Sequence, residues 1–172
     1  MAVFYFYWQL GDKKAYYILG ISLTVILTPP IYLYQLIQER ALKREMNCLA
    51  LNVYYESRGE TIAGQQAVAK VTLNRMASSR YPETICDVVY EKNWSKIHKR
   101  YVSAFSWTEL DEVPDPRGAS WSLARKMAET VYKQKHKKLL HGALFFHTKN
   151  ILPYWARKKK PVAKIGQYIF YR

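Results

Sequence analysis

Residues 49–60 read Leu-Ala-Leu-Asn-Val-Tyr-Tyr-Glu-Ser-Arg-Gly-Glu, and the organisation of the chain follows from this run. Upstream, Leu42, Met46, Leu49 and Val53 recur at spacings of 4, 3 and 4, the period of one buried helical face. The next step along that face is Glu56. A carboxylate on a buried face is costly unless it is paired, hydrogen-bonded or protonated. Partial burial raises its pKa, which a general acid working near neutral pH requires. A helical turn would place Glu60 on the same side, with Arg58 between them able to pair with either. From spacing alone the three also fit a salt-bridged cap at a helix end. Gly59 is the expected terminator.

Outward from this run the pattern is mainly helical. Helices are expected over 41–58, over 61–77 from Thr61, over 83–90 after the Tyr81-Pro82 break, and over 121–133 capped by Ser120. In the second, Ile62, Val68, Val71 and Met76 face the core; in the last, Trp121, Ala124, Ala128 and Val131 do. Residues 94–116 read as irregular and aromatic. Residues 143–148 and 165–171 are strand-like, enough for a small hairpin or sheet. The fold class is α+β, dominated by helices.

Residues 15–38 are 24 residues without a formal charge. As a helix they span about 36 Å, enough to cross a ~30 Å hydrocarbon layer. Tyr16, Tyr17, Tyr32 and Tyr34 sit near the ends, where membrane interfaces favour them. Pro29-Pro30 is expected to bend or break the helix. No small-residue cleavage site follows the apolar run, so a retained span is preferred to a signal peptide. The expected layout is a short segment 1–14, a transmembrane helix 15–38 and a domain 39–172. Lys13 and Lys14 precede the span and Arg40, Lys43 and Arg44 follow it, a count that leans slightly toward a domain on the cytoplasmic side.

The chain carries 27 basic and 13 acidic residues, a formal net charge of +14, which favours polyanionic partners. Nucleic acid is disfavoured, because no recognition motif accompanies the charge. Residues 157–160 are a basic loop able to steer the protein toward anionic wall polymers. Cys48 and Cys86 either pair in an oxidising compartment or act as ordinary core residues. His98, His136, His141 and His147 lack the spacing of a metal site, and no cofactor motif is present.

The run 49–60 resembles the signature of the SleB-type cell-wall hydrolases, the spore-cortex-lytic family, with Glu56-Ser57-Arg58-Gly59-Glu60 at its core. Further blocks resemble that family in order: 64–75 (GQQAVAKVTLNR), 81–90 (YPETICDVVY), Phe105-Ser106-Trp107, and the C-terminal pieces Gly142 to His147, Pro153-Tyr154-Trp155 and Ile165-Gly166. Ala104 departs from the pattern, standing where glutamine commonly precedes Phe-Ser-Trp. The resemblance implies a lysozyme-like domain that cuts peptidoglycan between N-acetylmuramic acid and N-acetylglucosamine. Carried over, Glu56 is the catalytic acid and Glu60 the second carboxylate.

One acid suffices for a lytic transglycosylase. It protonates the leaving oxygen, then as a base takes the muramic 6-hydroxyl proton while that oxygen closes on the anomeric carbon. A hydrolytic muramidase would typically need a second carboxylate or substrate assistance. A same-helix Glu60 is poorly placed to reach the opposite sugar face, so transglycosylation is preferred. Tyr55, Tyr81, Phe105, Trp107, Tyr154 and Trp155 could present flat faces to sugars or pack in the core, with Trp107 and Tyr154 favoured as exposed platforms. Ser106 is expected near the acid, and His147 at a strand end or lining the cleft. The expected setting is a single pass in the bacterial cytoplasmic membrane, the domain facing the wall or periplasm, with a virus-encoded lysin also compatible. The competing reading is a structural protein of a phage particle or envelope assembly that binds glycan without cutting it.

Overall fold

Gly59 and Thr61 form the first corner of the chain. The computed structural model describes residues 12–96, 98–135 and 140–172. Helix α1 runs Asp12–Ser57; Gly59 at φ +89° ends it in the left-handed region that glycine tolerates. Thr61 caps helix α2 (Ile62–Met76), its hydroxyl accepting from the Gly64 amide at 3.2 Å. Helix α3 (Ile85–Val89) is capped by Thr84 and, at the Cys86 amide, by the Glu45 carboxylate at 3.1 Å. Strands β1 (Lys92–Ser95) and β2 (Arg100–Ser103) form an antiparallel pair, followed by a 3-10 turn, Ser106–Glu109. Helix α4 (Gly118–Lys133) leads to β3 (Phe145–Thr148), β4 (Pro161–Ile165) and β5 (Tyr168–Tyr171). These make a three-stranded antiparallel sheet in the order β3-β5-β4.

The chain divides into two units at Leu42/Lys43. The first holds the N-terminal part of α1, which continues through Pro29 and Pro30. Of the bend or break expected there, the break is absent, and α1 runs on through both prolines. Ser22 and Thr24 return their hydroxyls to the Leu19 and Ile21 carbonyls at 2.9 and 2.8 Å, which satisfies them without water. Apolar side chains along this stretch, among them Ile21, Leu23, Val25, Ile31 and Leu33, are exposed. The helix is long and apolar enough to cross a membrane. Residues 1–11 lie outside the described residues, as does His136.

The second unit is organised around α2. Its Ala69 and Leu73 join Leu49 and Val53 of α1, Ile85 and Val89 of α3, and Ala124, Met127, Ala128 and Val131 of α4 in one core. Its Ala67, Val68 and Val71 pack on Ala143, Tyr168 and Phe170 of the sheet side in a second. Burial on both sides explains why this helix has apolar or small residues around most of its circumference. Cys48 and Cys86 form a disulfide joining α1 to α3. The fold is mainly helical with small sheets, as expected. Further details differ from the sequence reading, the first being that Ile62, expected to face the core, is exposed. Helix α4 begins at Gly118 (φ +72°) after Arg117, so Ser120 lies within it and caps nothing. Part of the stretch read as irregular is the β1–β2 pair. The strand-like C-terminal residues split into β4 and β5 around Gly166.

Candidate active site

Glu56 lies one residue from the end of α1 and is half-buried. Burial pushes its carboxyl from 4.5 up to about 7, opposed by the positive field of Arg75 on α2. Arg75 does not make a contact ion pair with it; the one ion pair among the described residues is Arg100–Glu109 at 3.3 Å. The Arg75 guanidinium is otherwise occupied. Its Nε donates to the Leu144 carbonyl at 2.9 Å, and it lies 4.8 Å from the Phe105 ring centre and 5.5 Å from that of Tyr81. Glu56 is therefore a desolvated acid beside a cation that moderates its proton affinity without discharging it. A carboxyl with this balance is populated in both forms near neutral pH.

The backbone at this point is tied to the sheet. Tyr168 of β5 donates its hydroxyl to the Glu56 carbonyl at 2.7 Å. Burial, with Glu60 and Glu56 nearby, pushes the Tyr168 phenol up to about 12, so it remains a neutral donor. Glu60 is not on the helix. Gly59 turns the chain first, and Glu60 lies beyond it, so the expected i, i+4 placement beside Glu56 is corrected. Its Oε2 packs where a side chain on Gly166 would start, 2.8 Å from an ideal Cβ. Glu60 is thus held against the β4–β5 turn. Arg58 pairs with neither acid: its Nη1 donates to the Tyr54 hydroxyl at 3.3 Å and its guanidinium lies over that ring.

The other expected site residues fall into two groups. Trp107 is 8% exposed; it stacks on Tyr55 at 4.7 Å and donates its indole N–H to Asn52 Oδ1 at 3.0 Å. The Asn52 amide in turn donates to Thr72 Oγ1 at 3.0 Å. Trp107 is accordingly a core residue and not the exposed platform expected for it. Tyr55 covers its face and donates to the Pro114 carbonyl at 2.5 Å. His147 is buried in β3 with both ring nitrogens engaged, by the Thr148 carbonyl at 2.8 Å and the Tyr171 hydroxyl at 3.0 Å. Phe105 is buried as well. Tyr154, 71% exposed, and Ser106 stand at the surface. Arg75, Tyr168 and Asn52 escaped the sequence reading. Asn52 carried a signal, a polar residue next to Val53 on a buried helix, whereas Tyr168 gave none without the strand pairing.

The sequence pattern of the family described as Cell Wall Hydrolase matches residues 59–171. The chain belongs to that family. The match opens at Gly59, within the turn that follows Glu56, so Glu56 lies just outside the matched residues. Among curated relatives, the spore cortex-lytic enzyme of Bacillus cereus is 45% identical over 49 residues, covering 28% of this chain and 19% of the relative. That of Oceanobacillus iheyensis is 43% identical over 49 residues, covering 28% and 18%. The aligned stretch thus spans about a fifth of these relatives. Among solved structures, the catalytic domain of the Bacillus cereus SleB protein superposes with TM-score 0.55 at 27% identity, over 76% of this chain and 91% of that one. The catalytic domain of the germination-specific lytic transglycosylase SleB from Bacillus anthracis gives 0.56 at 26% identity, over 74% and 93%. The domain has the fold of those catalytic domains.

Proposed function

We propose that this Cell Wall Hydrolase family member is an enzyme that cleaves the glycan strand of peptidoglycan between N-acetylmuramic acid and N-acetylglucosamine, as a lytic transglycosylase with Glu56 as its acid and base. The observation that carries the reading is the Glu56 carboxyl, held near pH 7 by burial and without a contact ion pair. Protonated, it donates to the glycosidic oxygen as the bond to the anomeric carbon breaks and positive charge develops on the sugar ring. The resulting carboxylate takes the proton of the muramic 6-hydroxyl as that oxygen bonds to the anomeric carbon. The proton ends on Glu56 and the product carries an anhydro ring, so no water is consumed. Glu60, past the end of the helix and seated against Gly166, supports the single-acid route over a two-carboxylate hydrolysis. The solved relative named a lytic transglycosylase supports it too. Tyr154 and Ser106 are surface groups suited to contact glycan.

The domain acts outside the cytoplasm in this proposal, anchored by residues 15–38. The Cys48–Cys86 disulfide supports an oxidising compartment, since such bonds are rare in the cytosol. The test is mass analysis of soluble products from purified peptidoglycan incubated with the full chain in detergent, beside Glu56→Gln. Anhydromuramic ends made by the wild type and lost in the variant are expected. Reducing muramic ends would replace the transglycosylase by a hydrolase. Undiminished cleavage by Glu56→Gln would remove Glu56 from the chemistry.

A further inference from the structure

The second unit carries a cavity of about 680 Å3 whose lining includes none of the residues assigned to glycan cleavage. Five basic side chains line it: Lys70, Arg80, Lys135, His141 and Arg172. No Asp or Glu side chain does so among the described residues. Lys70 is the informative member. It sits in the middle of α2, one residue from Ala69 of the core, and is only 3% exposed. Its Nζ carries three donors and makes one hydrogen bond to the described residues, to the Lys135 carbonyl at 3.1 Å. Lysine is almost never this buried without a countercharge. Burial draws its ionisation below the ordinary lysine value, and an anion at its side would oppose that shift and favour the ammonium form.

The rim is built at a conformational cost. Leu140 and His141 have φ of +56° and +48°, left-handed values uncommon for a leucine, and Gly142 follows at +73°. This turn brings His141 to the cavity and leaves Gly142 with the Arg172 Nε 3.9 Å from an ideal Cβ. Lys135 is steadied at the mouth by the Tyr132 hydroxyl at 3.2 Å and by that ring, 4.5 Å from its Nζ. Two guanidiniums and two ammoniums exceed what one carboxylate would neutralise. A phosphate brings up to two charges and several acceptor oxygens, and guanidinium forks match it in a bidentate way. The cavity is also larger than a bare ion needs. Ala77 and Leu144 add apolar wall, and Asn74 and Ser78 add polar groups suited to an organic substituent.

We propose that this cavity is a second ligand site, which takes the phosphate of a phosphate ester. The ester is either a soluble organic phosphate or the headgroup of a phospholipid, and the two share the charge and the oxygens that the five basic groups recognise. The site does not depend on Glu56, and its test does not read glycan cleavage.

The experiment is calorimetric titration of the full chain in nonionic detergent micelles at low salt. The probes are glycerol 3-phosphate, acetate, and micelles doped with phosphatidylglycerol. One-to-one binding of glycerol 3-phosphate, or saturable binding of the doped micelles, at least about tenfold tighter than acetate is expected, and the better probe identifies the source. Arg80→Ala and Arg172→Ala, both at exposed positions, should each weaken it about two- to fivefold. Lys70→Met should abolish it, with the circular dichroism of the variant establishing that it is folded. If Lys70→Met is unfolded, the double variant Arg80→Ala/Arg172→Ala decides alone. Lys158→Ala/Lys160→Ala, in the basic loop outside the cavity, should leave binding within about twofold. Affinity no better than acetate, or an equal loss in the loop variant, overturns the proposal.

Discussion

Replacing Glu56 by glutamine should stabilise the protein, and by an amount that depends on pH. Burial raises this carboxyl from 4.5 to about 7 in the folded state. Each tenfold change in proton affinity is worth about 1.36 kcal/mol, so ionising the folded acid at high pH costs about 3 kcal/mol at most. The sign follows from proton counts. Below pH 4.5 the side chain is protonated folded or unfolded and contributes no difference. Between 4.5 and about 7 the folded state holds a proton that the unfolded chain has lost, so stability falls as pH rises. Above about 7 the full penalty is present. Glutamine keeps the shape and carries no charge, so Glu56→Gln lacks this loss. The measurement is denaturant unfolding of both full-length proteins in the same detergent from pH 4 to pH 8.5, with the disulfide intact. The variant should gain on the wild type by about 2–3 kcal/mol across that range, most of it between pH 5 and 7. A difference that stays flat with pH would mean that Glu56 is solvated, and the argument for it as an acid poised near neutrality would go with it. Cleavage by the wild type should fall as pH rises above about 7, because the donor form is lost.

Three further outcomes follow from the packing. Asn52→Leu interrupts the buried path from the Trp107 indole through Asn52 to Thr72 and leaves polar groups unpaired; a loss of about 2–3 kcal/mol in denaturant unfolding is expected, and a loss near zero would show the path to be incidental. Gly166→Ala puts a Cβ 2.8 Å from Glu60 Oε2 at φ +55°, so thermal unfolding should report about 1–2 kcal/mol of destabilisation, and an unchanged midpoint would place Glu60 elsewhere. Reducing Cys48–Cys86 should cost about 4 kcal/mol by the loop-entropy relation for a separation of 38, read as a drop in the melting midpoint with reductant; no drop would mean that the bond adds nothing to the fold.

What could be read from the sequence was what local chemistry decides. The 4, 3, 4 spacing leading to Glu56, the Gly59 stop and the Thr61 start are settled by side chains within one turn, and helices α1 and α2 have those ends. The β1–β2 pair escaped because all eight of its residues are exposed or half-buried without the alternation that marks one covered face, and Trp94 and Tyr101 pair on the exposed surface. Helix α4 starts at Gly118, which lacks any side chain to signal an N-terminus. The site was harder than the fold. Trp107 and Tyr154 look alike as aromatics near turns; only the hydrogen bond to Asn52 and the stacking on Tyr55 distinguish the core residue from the surface one. Glu60 was misplaced for a related reason. Spacing assumes the helix continues, and one left-handed glycine ends that assumption.

The disulfide has a mechanical consequence for a pull applied between the two ends of the chain. Tension entering from the N-terminal side reaches Cys48 and can pass through the sulfur bridge to Cys86 and onward. The chain between them, a separation of 38 residues, is then outside the load path. Fully drawn out, that segment would contribute about 130 Å of extra reach, which the bridge withholds. Glu56, Arg75 and the Gly59 turn all lie within it. A pull strong enough to strip the rest of the domain would still leave the segment carrying Glu56 closed at its base.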